Sequence, residues 1–135
     1  MTTSAYVLVL FIAWALLLLV VMEIARSYLV LNGRIPSNKF DPANSGLSPF
    51  MQRLARAHAN CIESLPILGG LLLVALATGR HGVTDPLAPW LLAARIVQSS
   101  IHLASTSVVA VNARFACFVV QLAIAAYWVF GLVAG

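Results

Sequence analysis

Charge is what this chain has least of: eight basic and four acidic side chains stand among 135 residues, 9% of the whole. A soluble domain carries about a quarter of its residues charged and about half apolar. Here 61% are hydrophobic and the mean hydropathy is +0.96, so water is not the main solvent. Cysteine is scarce as well. Cys61 and Cys117 both fall in apolar helical stretches, where a reduced, packed thiol is the usual state, so no disulfide framework and no metal-ligand spacing is present. Neither an internal repeat of soluble type nor a low-complexity segment occurs. The length supports one domain over residues 1–135. Once four membrane crossings of ~20 residues each are subtracted, only short loops remain, with no room for a separate soluble domain. The net charge of +4 and the pI near 9.7 fit a cytoplasmic face made basic by topology and imply no nucleic-acid partner.

What the chain does have is four long apolar stretches, which predict an all-α integral membrane protein, a four-helix transmembrane bundle. The first, about residues 4–31, is uncharged from Met1 to Met22. It is too long, and lacks the basic start, for a cleaved signal peptide. Between Asn32 and Ser48 stand Gly33, Pro36, Asn38, Pro42, Asn44 and Gly46, breakers and turn formers that mark the main loop. A second helix is expected over about 49–78, with Pro49 in its first turn and Gly79 as its stop. Pro86 opens a third helix over about 87–107, and a turn around Asn112 leads to a fourth over about 114–133. The side that carries loops 1 and 3 has Arg34, Lys39, Arg53, Arg56 and Arg114, whereas the opposite side has only Arg80, which predicts loops 1 and 3 in the cytoplasm and both termini across the membrane.

Charged side chains inside a span cost several kcal/mol unless they face the bundle interior or a wet cavity. On helix 2, Arg53, Arg56, Asn60 and Glu63 are spaced by three, four and three, which gathers them on one face as a stripe from the cytoplasmic end. On helix 3, Gln98, Ser99 and His102 continue a polar face begun by Arg95. At 1.5 Å per residue, Glu63 lies roughly 20 Å along helix 2 and Arg95 roughly 14 Å into helix 3 from the other side. Both reach mid-bilayer, and an ion pair between Glu63 and Arg95 is expected to lock the two helices. His58 is off the stripe and is expected at an interface. Glu23 and Arg26 are placed for a local pair or for contact with a neighbouring copy. Gly69 and Gly70 suit close helix packing. Arg34, Arg53, Arg56 and Arg114 gather in the cytoplasmic half, where paired guanidinium donors suit carboxylates or phosphates; the competing reading is arginines and Lys39 reaching out to lipid headgroups.

The stretch Arg56, Ala57, His58, Ala59, Asn60, Cys61, Ile62, Glu63, Ser64, Leu65, Pro66 resembles the signature of the MAPEG superfamily, the membrane-associated proteins of eicosanoid and glutathione metabolism. Its pattern Arg-x-x-x-Asn-x-x-Glu-x-x-Pro is met at every fixed position, and four helices, a basic first loop and arginines in helices 3 and 4 match as well. The resemblance implies a homotrimer with sites between subunits, glutathione as co-substrate and a lipophilic substrate arriving from the bilayer lipids. It assigns Arg34, Arg56, Asn60 and Glu63 to glutathione binding and Arg114 to stabilising the thiolate. His102, with Gln98 beside it, takes the place of a tyrosine that contacts glutathione, Phe118 the place of a second tyrosine, and Ala59 that of an arginine. Three functions stay open: a glutathione (or similar thiol) transferase or peroxidase, a non-catalytic lipid-binding or scaffolding protein, and a small channel, for which no broken helix speaks. Short loops and the lack of a retention signal point to a bacterial inner membrane.

Overall fold

A computed structural model describes all residues 1–135. It consists of four α-helices and no strand: α1 (Thr3–Leu31), α2 (Pro49–Ala77), α3 (Ala88–Ala104) and α4 (Val108–Ala134). Three begin at a residue whose hydroxyl accepts a backbone N–H of the first turn: Thr2 from Ala5, Ser48 from Met51 and Ser107 from Ala110. Such caps satisfy donors that a helix start otherwise leaves unpaired. Ser107 corrects the expected start of the fourth helix. The chain turns at Ser105–Ser107, not around Asn112, so Arg114 lies in the second turn of α4 rather than opening it.

α1, α2 and α4 are each long and apolar enough to cross a membrane; α3, with 17 residues and Arg95 within it, is not by those measures. Large apolar side chains cover the outside, among them Leu16, Leu17, Ile24, Phe115 and Phe130, while the core runs from Phe11 and Leu18 through Leu54, Leu68, Leu72 and Leu91 to Trp128. Exposed apolar area on this scale suits lipid rather than water. α2 and α3 occupy the middle. α1 packs on both, α4 packs on both, and α1 and α4 do not meet. Gly69 permits the approach of α1 to α2, since a Cβ there would stand 3.2 Å from Leu8 Cδ1; Gly70 faces open space.

The two ends are tied differently. At the loop 2 end, Ser4 N and Oγ both donate to Asp85 Oδ1, Ser4 Oγ also meets Thr84 Oγ1, and His81 Nδ1 lies 2.9 Å from Asp85 Oδ2. These bonds hold the Asp85 carboxyl below its ordinary range, the Ser4 hydroxyl contributing most. Arg80 donates to the carbonyls of Gly131 and Leu132, two of the acceptors left free in the last turn of α4. At the loop 1 end, Arg26 bonds Asn44 Oδ1 through Nε (2.9 Å) and Nη2 (2.6 Å), and it also meets Glu23 at 3.4 Å, the expected local pair. Asn44 is buried at φ 56°, a left-handed conformation that asparagine tolerates, and its Nδ2 donates to the Met51 carbonyl. The backbone N–H of Ser45 donates to Asp41 and holds that carboxyl below its usual range.

Candidate functional site

The polar face predicted on α3 turns into the bundle, but of the stripe predicted on α2 only Arg53 and Asn60 bond to α3, while Arg56 and Glu63 are exposed. Arg95, Gln98, Ser99 and His102 are all buried, Arg95 completely. The expected Glu63–Arg95 ion pair does not form within the chain. Arg95 donates instead to Asn60 Oδ1 and Ser64 Oγ, both at 2.7 Å, and lies 5.8 Å from the centroid of the Phe11 ring on α1. Helix geometry explains the change. Asn60 and Ser64 are four apart and share the face turned to α3, whereas Glu63 stands about 100° of rotation from Ser64 and is exposed. A buried guanidinium thus sits among amides, hydroxyls and an aromatic face with no acid beside it, an arrangement held by charge-assisted hydrogen bonds and cation–π attraction.

Around this cluster lie two small clefts. One, of about 200 Å³, is lined by Asn60, Gln98, His102, Val111, Arg114, Phe115 and Phe118. The second, of about 190 Å³, is lined by Asn60, Glu63, Ser64, Ile67, Leu68, Phe118, Gln121 and Leu122. Asn60 and Phe118 belong to both. The first holds no acid. In it His102 Nε2 and Arg114 Nη1 are buried without hydrogen-bond partners, while Arg56 is exposed on α2 and does not line this cleft. The unpartnered Arg114 donor fits an anionic group such as a carboxylate or thiolate, and His102 can add a second donor in the tautomer protonated at Nε2. The second cleft is apolar apart from Glu63, Ser64 and the amides.

Of the residues singled out in the sequence, Asn60, Gln98, His102 and Arg114 come together directly, and Glu63 joins them through the shared wall. Arg34 does not: it lines an apolar hollow of about 750 Å³ between the end of α1, loop 1 and Met51, with Ile24, Tyr28 and Leu29. Arg53 donates through Nε to the Leu103 carbonyl at 2.8 Å and so closes the end of α3 instead of extending to lipid headgroups. His58 is half-buried, with Nε2 unpartnered. One member of the cluster was not foreseen. Gln121 on α4 is fully buried, and its Nε2 donates to Gln98 Oε1 at 2.7 Å. It is the only amide in the uncharged run from Phe115 to Gly135, and that isolation was the signal.

Three membrane-length apolar helices around a buried polar cluster, with a cleft beside it that Arg114 lines, define an integral membrane protein with polar groups inside its helical layer. The match to the MAPEG family extends over residues 3–134, and the chain belongs to that family, whose members work in glutathione and eicosanoid metabolism. No curated protein and no solved structure matches the chain.

Proposed function

We propose that this protein is a membrane-bound thiol transferase or peroxidase that activates glutathione, or a similar thiol, toward lipophilic electrophiles. The observation that carries this reading is the cleft holding Asn60, Gln98, His102 and Arg114 without an acid, next to an apolar cleft with which it shares Asn60 and Phe118. Cations and donors on one side suit the anionic thiol, and apolar walls on the other suit an acceptor dissolved in the bilayer. Arg114 is the thiolate-stabilising residue: a fixed positive charge lowers a thiol pKa and raises the nucleophilic fraction at neutral pH. Arg56 takes a glutathione carboxylate, Asn60 and His102 donate hydrogen bonds, and Glu63 takes the amino group. Holding thiol and acceptor on two sides of one wall supplies proximity and orientation.

Each cleft is smaller than the ~300–1,000 Å³ typical of small-molecule sites. A homotrimer supplies the missing walls, and Arg34, remote within one chain, joins the site across the boundary between copies. α3 is the fourth crossing, since Asp85 ties its start to Ser4 at one end of the bundle and Leu103 meets Arg53 at the other. Loops 1 and 3 face the cytoplasm of a bacterial cell, with both termini across its inner membrane. Phe118 favours a second reading, a non-catalytic lipid-binding protein, because the wall common to both clefts carries no hydroxyl where catalytic relatives have tyrosine.

The test is a titration of the purified protein with glutathione, following thiolate absorbance in the ultraviolet in wild type and Arg114→Ala. A saturable signal lost in the variant supports thiol activation. No signal at millimolar glutathione removes this function for that thiol and leaves lipid binding.

A further inference from the structure

Arg95 is the one polar group of the buried cluster that cannot accept a hydrogen bond, because a guanidinium has five N–H donors and no acceptor. An amide by itself can face either way; an amide beside a guanidinium cannot. Arg95 Nη1 donates to Asn60 Oδ1 at 2.7 Å, which turns the Asn60 carbonyl toward α3. Gln98 meets that same oxygen at 2.9 Å and must do so with Nε2. Its Oε1 then faces Gln121, which answers with Nε2 at 2.7 Å. One guanidinium therefore sets the sense of three amides on three helices. Two buried atoms of this hydrogen-bonded chain stay unsatisfied: Arg95 Nε, and the Oε1 of Gln121, whose Nε2 is shared between Gln98 and the Cys117 carbonyl. At the other end, Asn60 has its oxygen occupied twice and its Nδ2 bonded to nothing in the chain, at the wall where the two clefts meet.

From this we infer that Arg95, Gln98 and Gln121 are positioning residues that hold Asn60 as a donor-only group, so that the ligand atom seated at the junction of the clefts is a hydrogen-bond acceptor, an anionic sulfur or a carboxylate oxygen. Glutathione as the source of that atom rests on the function proposed above; the direction of the amides does not. Gln121 lies outside the Arg114 cleft but lines the adjoining one with Asn60, so the Gln98→Met background separates an influence carried through Gln98 from a direct one.

The experiment is nuclear magnetic resonance of the side-chain amide of Asn60 in protein labelled with ¹⁵N-asparagine and embedded in lipid nanodiscs, the signals assigned by their loss in Asn60→Asp. Wild type gives one sharp pair of N–H signals. Arg95→Met releases the carbonyl and splits the pair, Gln121→Met splits or broadens it, and adding Gln121→Met to Gln98→Met changes nothing further. Glutathione affinity falls about tenfold in Arg95→Met and about threefold in Gln121→Met. Wild-type signals that shift with glutathione but not with S-methylglutathione identify the acceptor as the sulfur; shifts with both identify a carboxylate. Should Arg95→Met fail to fold, Gln121→Met decides alone. An Asn60 pair identical in wild type and Gln121→Met overturns the inference, as does a Gln121→Met effect that adds in full to that of Gln98→Met. Variants that split the pair while glutathione leaves the wild-type signals unmoved uphold the amide chain and remove the thiol function.

Discussion

The two ends of the bundle differ in how far their charges are satisfied. At the loop 2 end every charged side chain has a partner within the chain: Asp85 is held by Ser4 and His81, and Arg80 by two carbonyls of α4. At the other end Arg26 and Arg53 are bonded within the chain, but Arg34, Arg56 and Arg114 have neither ion pair nor hydrogen bond, although Glu23 and Asp41 stand at that end. A polar group bonded internally adds stability but has no capacity left for a ligand; one left unbonded has the reverse character. The loop 2 end is thus a clasp, and the loop 1 and loop 3 end is, under the function proposed above, a receptor.

Substitutions at the receptor end should damage ligand handling and spare the fold, and those at the clasp should do the opposite. The largest effect is expected from Arg114→Ala, which should reduce glutathione-dependent turnover on the order of 100-fold with little change in melting temperature, as for loss of a charge-stabilising donor in a dry site. Stopped-flow kinetics and a thermal melt measure the two quantities. Arg56→Ala should weaken glutathione binding about tenfold, read by isothermal titration, and also leave the melt in place. At the clasp, Asp85→Ala strips Ser4 and His81 of their common acceptor; a loss of about 1–3 kcal/mol, or roughly 5 °C in melting temperature, is expected with glutathione affinity unchanged. Equal damage to affinity and melt in that variant would break the distinction between the ends.

A fourth expectation concerns pH. The folded-state pKa of Asp85 lies below its ordinary value of 3.8, so its contribution is present above that value and is lost as pH falls through the folded pKa. Wild type should therefore lose melting temperature more steeply than Asp85→Asn below about pH 4. Parallel curves would remove Asp85 from the clasp. The smallest effect belongs to Arg80→Ala, about 1 kcal/mol from two uncapped carbonyls, measured as a slight lowering of the melt.

Hydropathy and breakers sufficed for the helices: the ends of α1 and the start of α2 agree with the sequence pattern. The start of α4 did not, because Arg114 and Asn112 read as interfacial residues while the serine cap at Ser107, a weaker mark among small residues, sets the boundary. The burial of Arg95, Gln98, Ser99 and His102 was legible from their spacing alone. Their partners were not. Spacing along one helix reports a face but not the angle at which that face meets its neighbour, so depth and charge pointed to Glu63 for Arg95, whereas Arg95 bonds Asn60 and Ser64. Gln121 did not show because it stands alone in the run from Phe115 to Gly135, with no adjoining polar residues to mark a stripe there as they do on α2 and α3.

The sharing of Asn60 and Phe118 by two clefts of unlike character has a consequence for the outer surface. Ile67 and Leu122, which line the apolar cleft, are also exposed on the outside of the bundle, among the large apolar side chains that suit lipid. The outer wall of that cleft is therefore part of the apolar surface itself, and Asn60 and Phe118 are the partition between it and the cleft of His102 and Arg114.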